Sequence, residues 1–223
     1  MSKTVVVLDM DNCILLDPDT RNGSEEIKSE AWFEVFSEHP RSELESVLEQ
    51  VKKEIAGGKG DRKDVVRRIC EHFGTSQLEI PKEVERRCKH FNAVVQNGIH
   101  AMGISLNVRD ALTRLSSRAP LYVNTGTPQQ EAIESLSHLW ISSLFRGVYG
   151  RPDTKVQNLQ TIATQESVEP HQMLFVDDQE SGWTATQEFG CRFVGIHTAL
   201  NKEWHSGTPF PLIYSLAELL DMI

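Results

Sequence analysis

The stretch Thr4-Val5-Val6-Val7-Leu8-Asp9-Met10-Asp11-Asn12 decides how the rest of the chain is read. Four apolar residues, three of them β-branched, run without interruption into two carboxylates at i and i+2. A run this short and this rich in Val reads as a central strand buried on both faces, as in a parallel sheet. Both Asp fall at its C-terminal end, where open α/β sheets place their ligands. Residues i and i+2 of a strand point to the same side. As the strand relaxes into a loop, the two carboxylates can therefore converge on one small volume. Two anions that close repel unless a cation lies between them or one takes up a proton. An Asp-Asn turn that only caps the strand would use the same residue types, so the remaining chain has to decide.

With 223 residues, the chain is long enough for one α/β domain or for a core domain carrying a smaller inserted one. Hydrophobic content of 39% and charged content of 25% suit a soluble globular protein. A net charge of -9 argues against nucleic acid or an anionic membrane as a general partner. A small-molecule partner is expected, bound by a monomer or homodimer. The four cysteines, Cys13, Cys70, Cys88 and Cys191, form no CxxC and read as free thiols of a reducing compartment. The N-terminus runs into a strand almost at once, with neither the apolar length of a signal peptide nor that of a membrane span. A cytoplasmic protein is expected.

Following the chain, Asp17-Pro18-Asp19-Thr20-Arg21-Asn22-Gly23 is rich in turn formers and marks the start of an insertion. From Ser24 to Gly98 the pattern is helical. Ile27, Ala31, Phe33 or Trp32, and Phe36 recur at helical spacing, and Pro40 ends that helix. A second helix spans Ser42 to Ile55 and is broken by Gly57-Gly58-Lys59-Gly60. Asp61 can cap a third, and Pro81 opens a fourth that runs to about Gly98. A block this long exceeds a simple crossover, so residues 17–100 are expected to form a helical cap domain between the two parts, 1–16 and 101–223, of the core. The core resumes with a helix from Val108, a strand Leu121-Tyr122-Val123, a helix from Gln129 to Trp140, a short strand at Val148, and a helix from Thr154. Then come a strand Met173 to Val176, a helix Gly182 to Phe189, a strand Phe193 to Ile196 and a closing helix Ser215 to Met222. Strand and helix alternating in this way predict an α/β fold with a doubly wound, Rossmann-like parallel sheet and an inserted α-helical cap domain.

Asp9-Met10-Asp11 after an apolar strand resembles the first motif of the haloacid dehalogenase-like (HAD) hydrolases, and three later stretches resemble the other motifs in order. The subgroup it looks like is that of the phosphoglycolate phosphatases and β-phosphoglucomutases, with a helical cap. Asn124-Thr125-Gly126-Thr127-Pro128 lies between a strand and a helix. A hydroxyl and exposed N–H groups at a helix start make a phosphate cradle, although Thr and Pro also favour plain helix starts. The resemblance makes Thr125 the hydroxyl on the transferred phosphoryl group, with Asn124 and Gly126 beside it. Gly150-Arg151-Pro152-Asp153-Thr154-Lys155 matches a Gly-x-Pro-x-x-Lys form of the third motif. Lys155 is the expected cation, with Arg151 as the alternative or as an extra substrate contact. A lysine in a first helical turn opposes the helix dipole, which favours a functional role. Leu174-Phe175-Val176-Asp177-Asp178 resembles the fourth motif, with Asp178 in the usual ligand position and Asp177 in support. Two departures stand out: Cys13 where the first motif often has Thr, and Gly182 where some members carry Asp or Asn.

The resemblance spans essentially the whole chain and implies a chemistry. Mg²⁺ would be held by Asp9, Asp178, the Asp11 carbonyl and, in support, Asp177. Asp9 would attack phosphorus to give an aspartyl phosphate, and Asp11 would act as general acid and then base. Thr125, Lys155 and backbone N–H groups would hold the phosphoryl oxygens. An acid at Asp11 and the metal site fit phosphoryl transfer rather than dehalogenation. In the cap, Gly58-Lys59-Gly60-Asp61-Arg62-Lys63 combines glycines with cations. It is read either as a loop in which Arg62 and Lys63 contact the substrate or as a solvated helix connection. The expected activity is phosphate-monoester hydrolysis on a small molecule. A sugar phosphomutase and a non-catalytic binding protein of the same fold are the alternatives.

Overall fold

The computed structural model describes residues 4–17, 20, 22–55, 60–205 and 207–223. In chain order these form β1 (Val5–Leu8), α1 (Ser24–Val35), α2 (Arg41–Ile55), α3 (Arg62–His72), α4 (Ile80–Met102), α5 (Leu106–Arg118) and β2 (Leu121–Pro128). There follow α6 (Gln129–His138), β3 (Gly147–Arg151), α7 (Lys155–Glu166), β4 (Met173–Asp177), α8 (Glu180–Phe189), β5 (Arg192–Ile196), β6 (Leu212–Ile213) and a closing 3-10 helix, Leu216–Asp221. The six strands make one parallel sheet in the order β3-β2-β1-β4-β5-β6. The chain winds outward from β1 through β2 to β3, then crosses back to β4 and winds the other way. The reversal point is the crevice between β1 and β4, where sheets of this kind bind ligands.

The Val-rich run behaves as a central strand should: all four residues of β1 are 0% exposed. Val7 lies in register with Tyr122 on one side and Phe175 on the other. Val5 and Val7 pack with Tyr122, Met173, Phe175 and with Leu159 and Ile162 of α7. Val6 and Leu8 alternate to the opposite face.

Three boundaries differ from the sequence expectation. The strand expected to end at Val123 continues as β2 to Pro128, pairing with β3 through a register shift between Asn124 and Pro128. The closing helix is 3-10 rather than α: Leu216 and Leu219, three residues apart, are both buried, and that spacing matches a three-residue turn. β6 was not expected, because two residues flanked by proline carry no period.

The described residues fall into two compact units, one of residues up to Glu25 with Ile99–Ile223, the other Glu26–Gly98. In the helical unit, Trp32 rather than Phe33 takes the core position, with its ring centroid 4.3 Å from that of Phe91. Phe33 is covered by Arg41, which lies 3.8 Å over the ring and forks onto Glu30 at 3.0 and 2.7 Å. Arg87 is a buried strut. It donates to the Val35 carbonyl at 2.7 Å, pairs with Glu83 and Glu38, and lies over Phe36. Asp61 caps α3 as expected, accepting from the N–H groups of Lys63 and Asp64 at 2.7 and 3.2 Å. α4 runs through Gly98 to Met102. A Cβ at Gly98 would lie 2.4 Å from Ile27 Cγ2, so the bare backbone admits Ile27. The break expected at Gly57–Gly60 falls largely on residues 56–59, and the turn expected at 17–23 includes Pro18, Asp19 and Arg21. All of these lie outside the described residues.

Candidate active site

Hydrogen bonding of Asp9 N–H to the Val176 carbonyl at 2.8 Å carries the β1–β4 ladder one residue past β1. It sets Asp9 beside Asp177 and Asp178. One carboxylate oxygen from each of these three lies within 4.8 Å of the others, and all three residues are buried. Lys155 Nζ reaches Asp177 Oδ2 at 2.5 Å and Asp9 Oδ1 at 3.1 Å. The second oxygen of Asp177 accepts the Gln179 N–H at 2.9 Å. Asp177 is thus occupied on both oxygens. Asp178 is not: its Oδ1 is buried without a hydrogen-bond partner.

The electrostatics follow from burial and crowding. Burial, together with the carboxylates of Asp177, Asp11 and Asp178, pushes Asp9 up despite the opposing charge of Lys155. Burial and the neighbouring Asp177 push Asp178 up to about 8. For Lys155 burial acts downward, but Asp177 and Asp9 outweigh it and hold the ammonium charged. Four buried carboxylates around one ammonium leave an excess of negative charge, and Asp178 offers an unused oxygen. A hard divalent cation with oxygen ligands fits this donor set.

Asp11 is held separately. Its Oδ1 accepts from the Ser24 hydroxyl at 2.6 Å and its Oδ2 from the Thr127 hydroxyl at 2.7 Å. The chain turns sharply here because Asn12 adopts a left-handed φ of 53°, a conformation Asn tolerates better than most residues. On β2, Thr125 is buried and its Oγ1 accepts the Thr127 N–H at 3.2 Å, while Gly126 is exposed. Asn124 directs its amide at α7: Nδ2 donates to the Lys155 carbonyl at 2.9 Å, and Oδ1 accepts from Asn158 at 2.9 Å. The Thr154 hydroxyl caps α7 by accepting from the Gln157 N–H at 3.2 Å. The first turn carrying Lys155 is therefore fixed from both sides.

Of the residues singled out in the sequence, Asp9, Lys155, Asp177 and Asp178 are brought together at the β1–β4 crevice. Arg151 is exposed at the end of β3. Arg62 and Lys63 lie in the helical unit at the start of α3, where the Arg62 guanidinium stands 4.7 Å from the Phe91 ring centre. Sequence reasoning missed Ser24, Asn158 and Asn201. Asn201 donates to the Asp178 carbonyl at 2.8 Å and to the Ile196 carbonyl at 2.9 Å, tying the end of β4 to that of β5. None of the three carries a local signal, since each acts on a partner that folding brings up: Ser24 on Asp11, Asn158 on Asn124 and Asn201 on the Asp178 carbonyl. Thr127 sits inside the quoted second motif, where only the Thr125 hydroxyl was given a role.

Comparison with known proteins places this geometry in context. Magnesium-bound YfnB, a HAD hydrolase of Bacillus subtilis, superposes with a TM-score of 0.72 over 100% of this chain and 99% of its own, at 14% identity. A predicted phosphoglycolate phosphatase from Haemophilus somnus gives a TM-score of 0.68 at 18% identity, covering 99% of this chain and 97% of that one. CbbY from Rhodobacter sphaeroides, in complex with xylulose-(1,5)bisphosphate, gives 0.66 at 16% identity over 98% and 96% of the two chains. At these identities the likeness speaks for the fold. A comparison with curated proteins found no match. The family model described as haloacid dehalogenase-like hydrolase matches residues 6–196, from the first strand to the end of β5, and the chain belongs to that family.

Proposed function

We propose that this HAD-like hydrolase is a Mg²⁺-dependent phosphatase acting on a small-molecule phosphate monoester. The observation that carries the reading is the buried Asp9 carboxylate, held by Lys155, next to an Asp178 oxygen with no partner. An anionic nucleophile can approach a phosphate dianion only where positive charge is concentrated. Lys155 supplies one charge. Asp9 and Asp178, with the Asp11 carbonyl and support from Asp177, would hold the second. Mg²⁺ bound there supplies neutralisation of the nucleophile and of the phosphoryl oxygens.

The residues of the chain then divide the work. An Asp9 carboxylate oxygen attacks phosphorus, the bond from phosphorus to the ester oxygen breaks, and Asp11 gives that oxygen a proton. Asp11, now a carboxylate, takes a proton from the water that attacks the aspartyl phosphate. Inorganic phosphate leaves and Asp9 is restored. Thr125, with the backbone at Gly126, donates to the phosphoryl oxygens, where positioning and charge supply most of the rate. Asn124 contributes by holding the first turn of α7, and through it Lys155. Arg151 and, in the helical unit, Arg62 and Lys63 serve substrate selection.

Phosphate release from p-nitrophenyl phosphate tests the reading. It is expected with Mg²⁺ and lost with EDTA. Asp9→Asn should lower kcat by about a thousandfold or more while leaving the circular dichroism spectrum unchanged, and Lys155→Ala should lose more than Arg151→Ala. Undiminished release by Asp9→Asn would reject the assignment.

A further inference from the structure

We propose that Asn201 is a positioning residue of the divalent-cation site, holding the backbone of Asp178 so that its unpartnered carboxylate oxygen keeps its place beside Asp9 and Asp177. The inference rests on the proposed role of Asp178 as a metal ligand, and it adds a residue from the loop after β5 to that role.

The end of β4 is where such a tie is needed. The register of β4 with β5 runs to Asp177 opposite Gly195. Asp178 is the next residue, past the last rung. Asn201 Nδ2 donates to the Asp178 carbonyl at 2.8 Å and to that of Ile196, the residue after Gly195, at 2.9 Å. One amide thus joins the two chains one residue beyond the ladder. Its orientation is fixed. Oδ1 accepts the Thr198 N–H at 2.7 Å, and a flipped amide would set its oxygen against two carbonyls and its nitrogen against a donor. Asn201 is 5% exposed and Thr198 is fully buried. A buried carbonyl left unpaired is costly, so the amide and the Asp178 backbone hold each other in place.

The two acids at the end of β4 are held differently. Asp177 is fixed through its side chain, by Lys155 on one oxygen and the Gln179 N–H on the other. Asp178 has a buried Oδ1 with no partner, so its aim depends on the main chain that carries it. An oxygen tied up by a donor inside the protein is less free for a cation. Holding Asp178 by its carbonyl leaves the carboxylate oxygen available. Asn201 is itself anchored away from the site. Its carbonyl accepts the Trp204 N–H at 2.9 Å, and the Trp204 ring packs 5.0 Å from Phe210 and 6.3 Å from Phe193, centre to centre. Groups that orient metal ligands from behind are typically worth about 10–100-fold in metal affinity.

Metal binding provides the test, read without turnover. Mn²⁺ suits the same carboxylate and carbonyl ligands as Mg²⁺, and its unbound form is counted by electron paramagnetic resonance. Asn201→Ala and Asn201→Leu, the second of which fills the space without a donor, should each raise the Mn²⁺ dissociation constant by about 10–100-fold. Trp204→Leu loosens the same loop but keeps the amide. It should lower the melting temperature while leaving the Mn²⁺ constant near the wild-type value. Asp178→Asn is the benchmark. If it loses Mn²⁺ while both Asn201 variants bind the ion as the wild type does, the positioning role is wrong and the metal reading stands. If Asp178→Asn binds Mn²⁺ no differently from the wild type, the metal reading fails, and the positioning role with it. Equal weakening by Trp204→Leu would assign the effect to the loop as a whole and overturn the proposal. Thermal unfolding accompanies each variant. Should both Asn201 variants lose the fold, the residue is structural and the proposal is overturned.

Discussion

At the residue scale, Gly182 shows how one absent side chain supports the site. This is the position at which the sequence departs from the Asp or Asn that some family members carry. A Cβ at this position would lie 2.1 Å from Asp177 Oδ2 and 2.4 Å from its Cγ. The space is taken by the Asp177 side chain at the end of β4, and Oδ2 is the atom that Lys155 reaches at 2.5 Å. Gly182→Ala should force Asp177 to turn or α8 to shift, costing about 1–3 kcal/mol as overpacked sites do. The variant is expected to melt lower and also to lose kcat more than tenfold, since Lys155 loses its alignment. A melting change with kcat retained would show that Asp177 does not orient the lysine. Cys13, the other departure, is a buried thiol donating to the Val176 carbonyl at 3.8 Å. Burial and the adjacent Asp9 push it up, so it stays a neutral packing group.

At the element scale, the first turn of α7 holds a cation where a helix dipole disfavours one, by about 0.3–1 kcal/mol for an exposed group. The two carboxylates from β1 and β4 reverse that preference, and Asn124 and Thr154 fix the turn from which Lys155 extends. α3 presents a different case. Its first turn carries Arg62 and Lys63, and Arg62 lies over the Phe91 ring of α4. Arg62→Ala should remove a cation–π contact of about 0.5–1 kcal/mol, read as a small fall in the midpoint of urea unfolding. If Arg62 also meets the substrate beyond its phosphate, kcat/KM for the preferred ester falls by about 10–100-fold and that for p-nitrophenyl phosphate much less. Equal losses on both would confine Arg62 to packing α3 on α4.

At the scale of the whole molecule, a chain of net charge -9 gathers the buried carboxylates of Asp9, Asp177 and Asp178 at one crevice, with that of Asp11 close enough to act on Asp9, and this crowding costs stability. Asp178 illustrates the sign. Its folded value of about 8 lies above the ordinary carboxylate value of 3.8. Its contribution is therefore fully present below about pH 4 and is lost progressively as pH rises toward 8. In EDTA, Asp178→Asn should stabilise the protein little near pH 4 and increasingly toward pH 8, measured by thermal unfolding. Added Mg²⁺ should raise the melting temperature of the wild type at pH 8, where it answers an ionised carboxylate, and do so far less for Asp178→Asn. A pH-independent effect of the substitution would mean that Asp178 is already neutralised by its neighbours. Among the described residues no helix is long and apolar enough to cross a membrane.

The sequence by itself determined the doubly wound sheet, the inserted helical stretch and the crevice acids Asp9, Asp177 and Asp178 with Lys155. The sheet and the helical stretch rest on local physics, an apolar run buried on both faces and helical periodicity, and the acids stand out as charge at a strand end that packing alone does not call for, whereas Lys155 is what the resemblance to the third motif implies. Capping by Asp61 was legible from local physics as well. The choice of Trp32 over Phe33 for the core was not, since adjacent aromatics are equivalent until a neighbour such as Phe91 is in place. The continuation of β2 through Thr127 depended on pairing with β3, and the hydroxyl from Ser24 on Asp11 on a contact between parts of the chain that share no pattern. Which oxygen of which acid is left without a partner is likewise a property of the assembled crevice. Hydrogen-bond satisfaction is a sum over neighbours brought together by folding, and that sum cannot be taken along the chain.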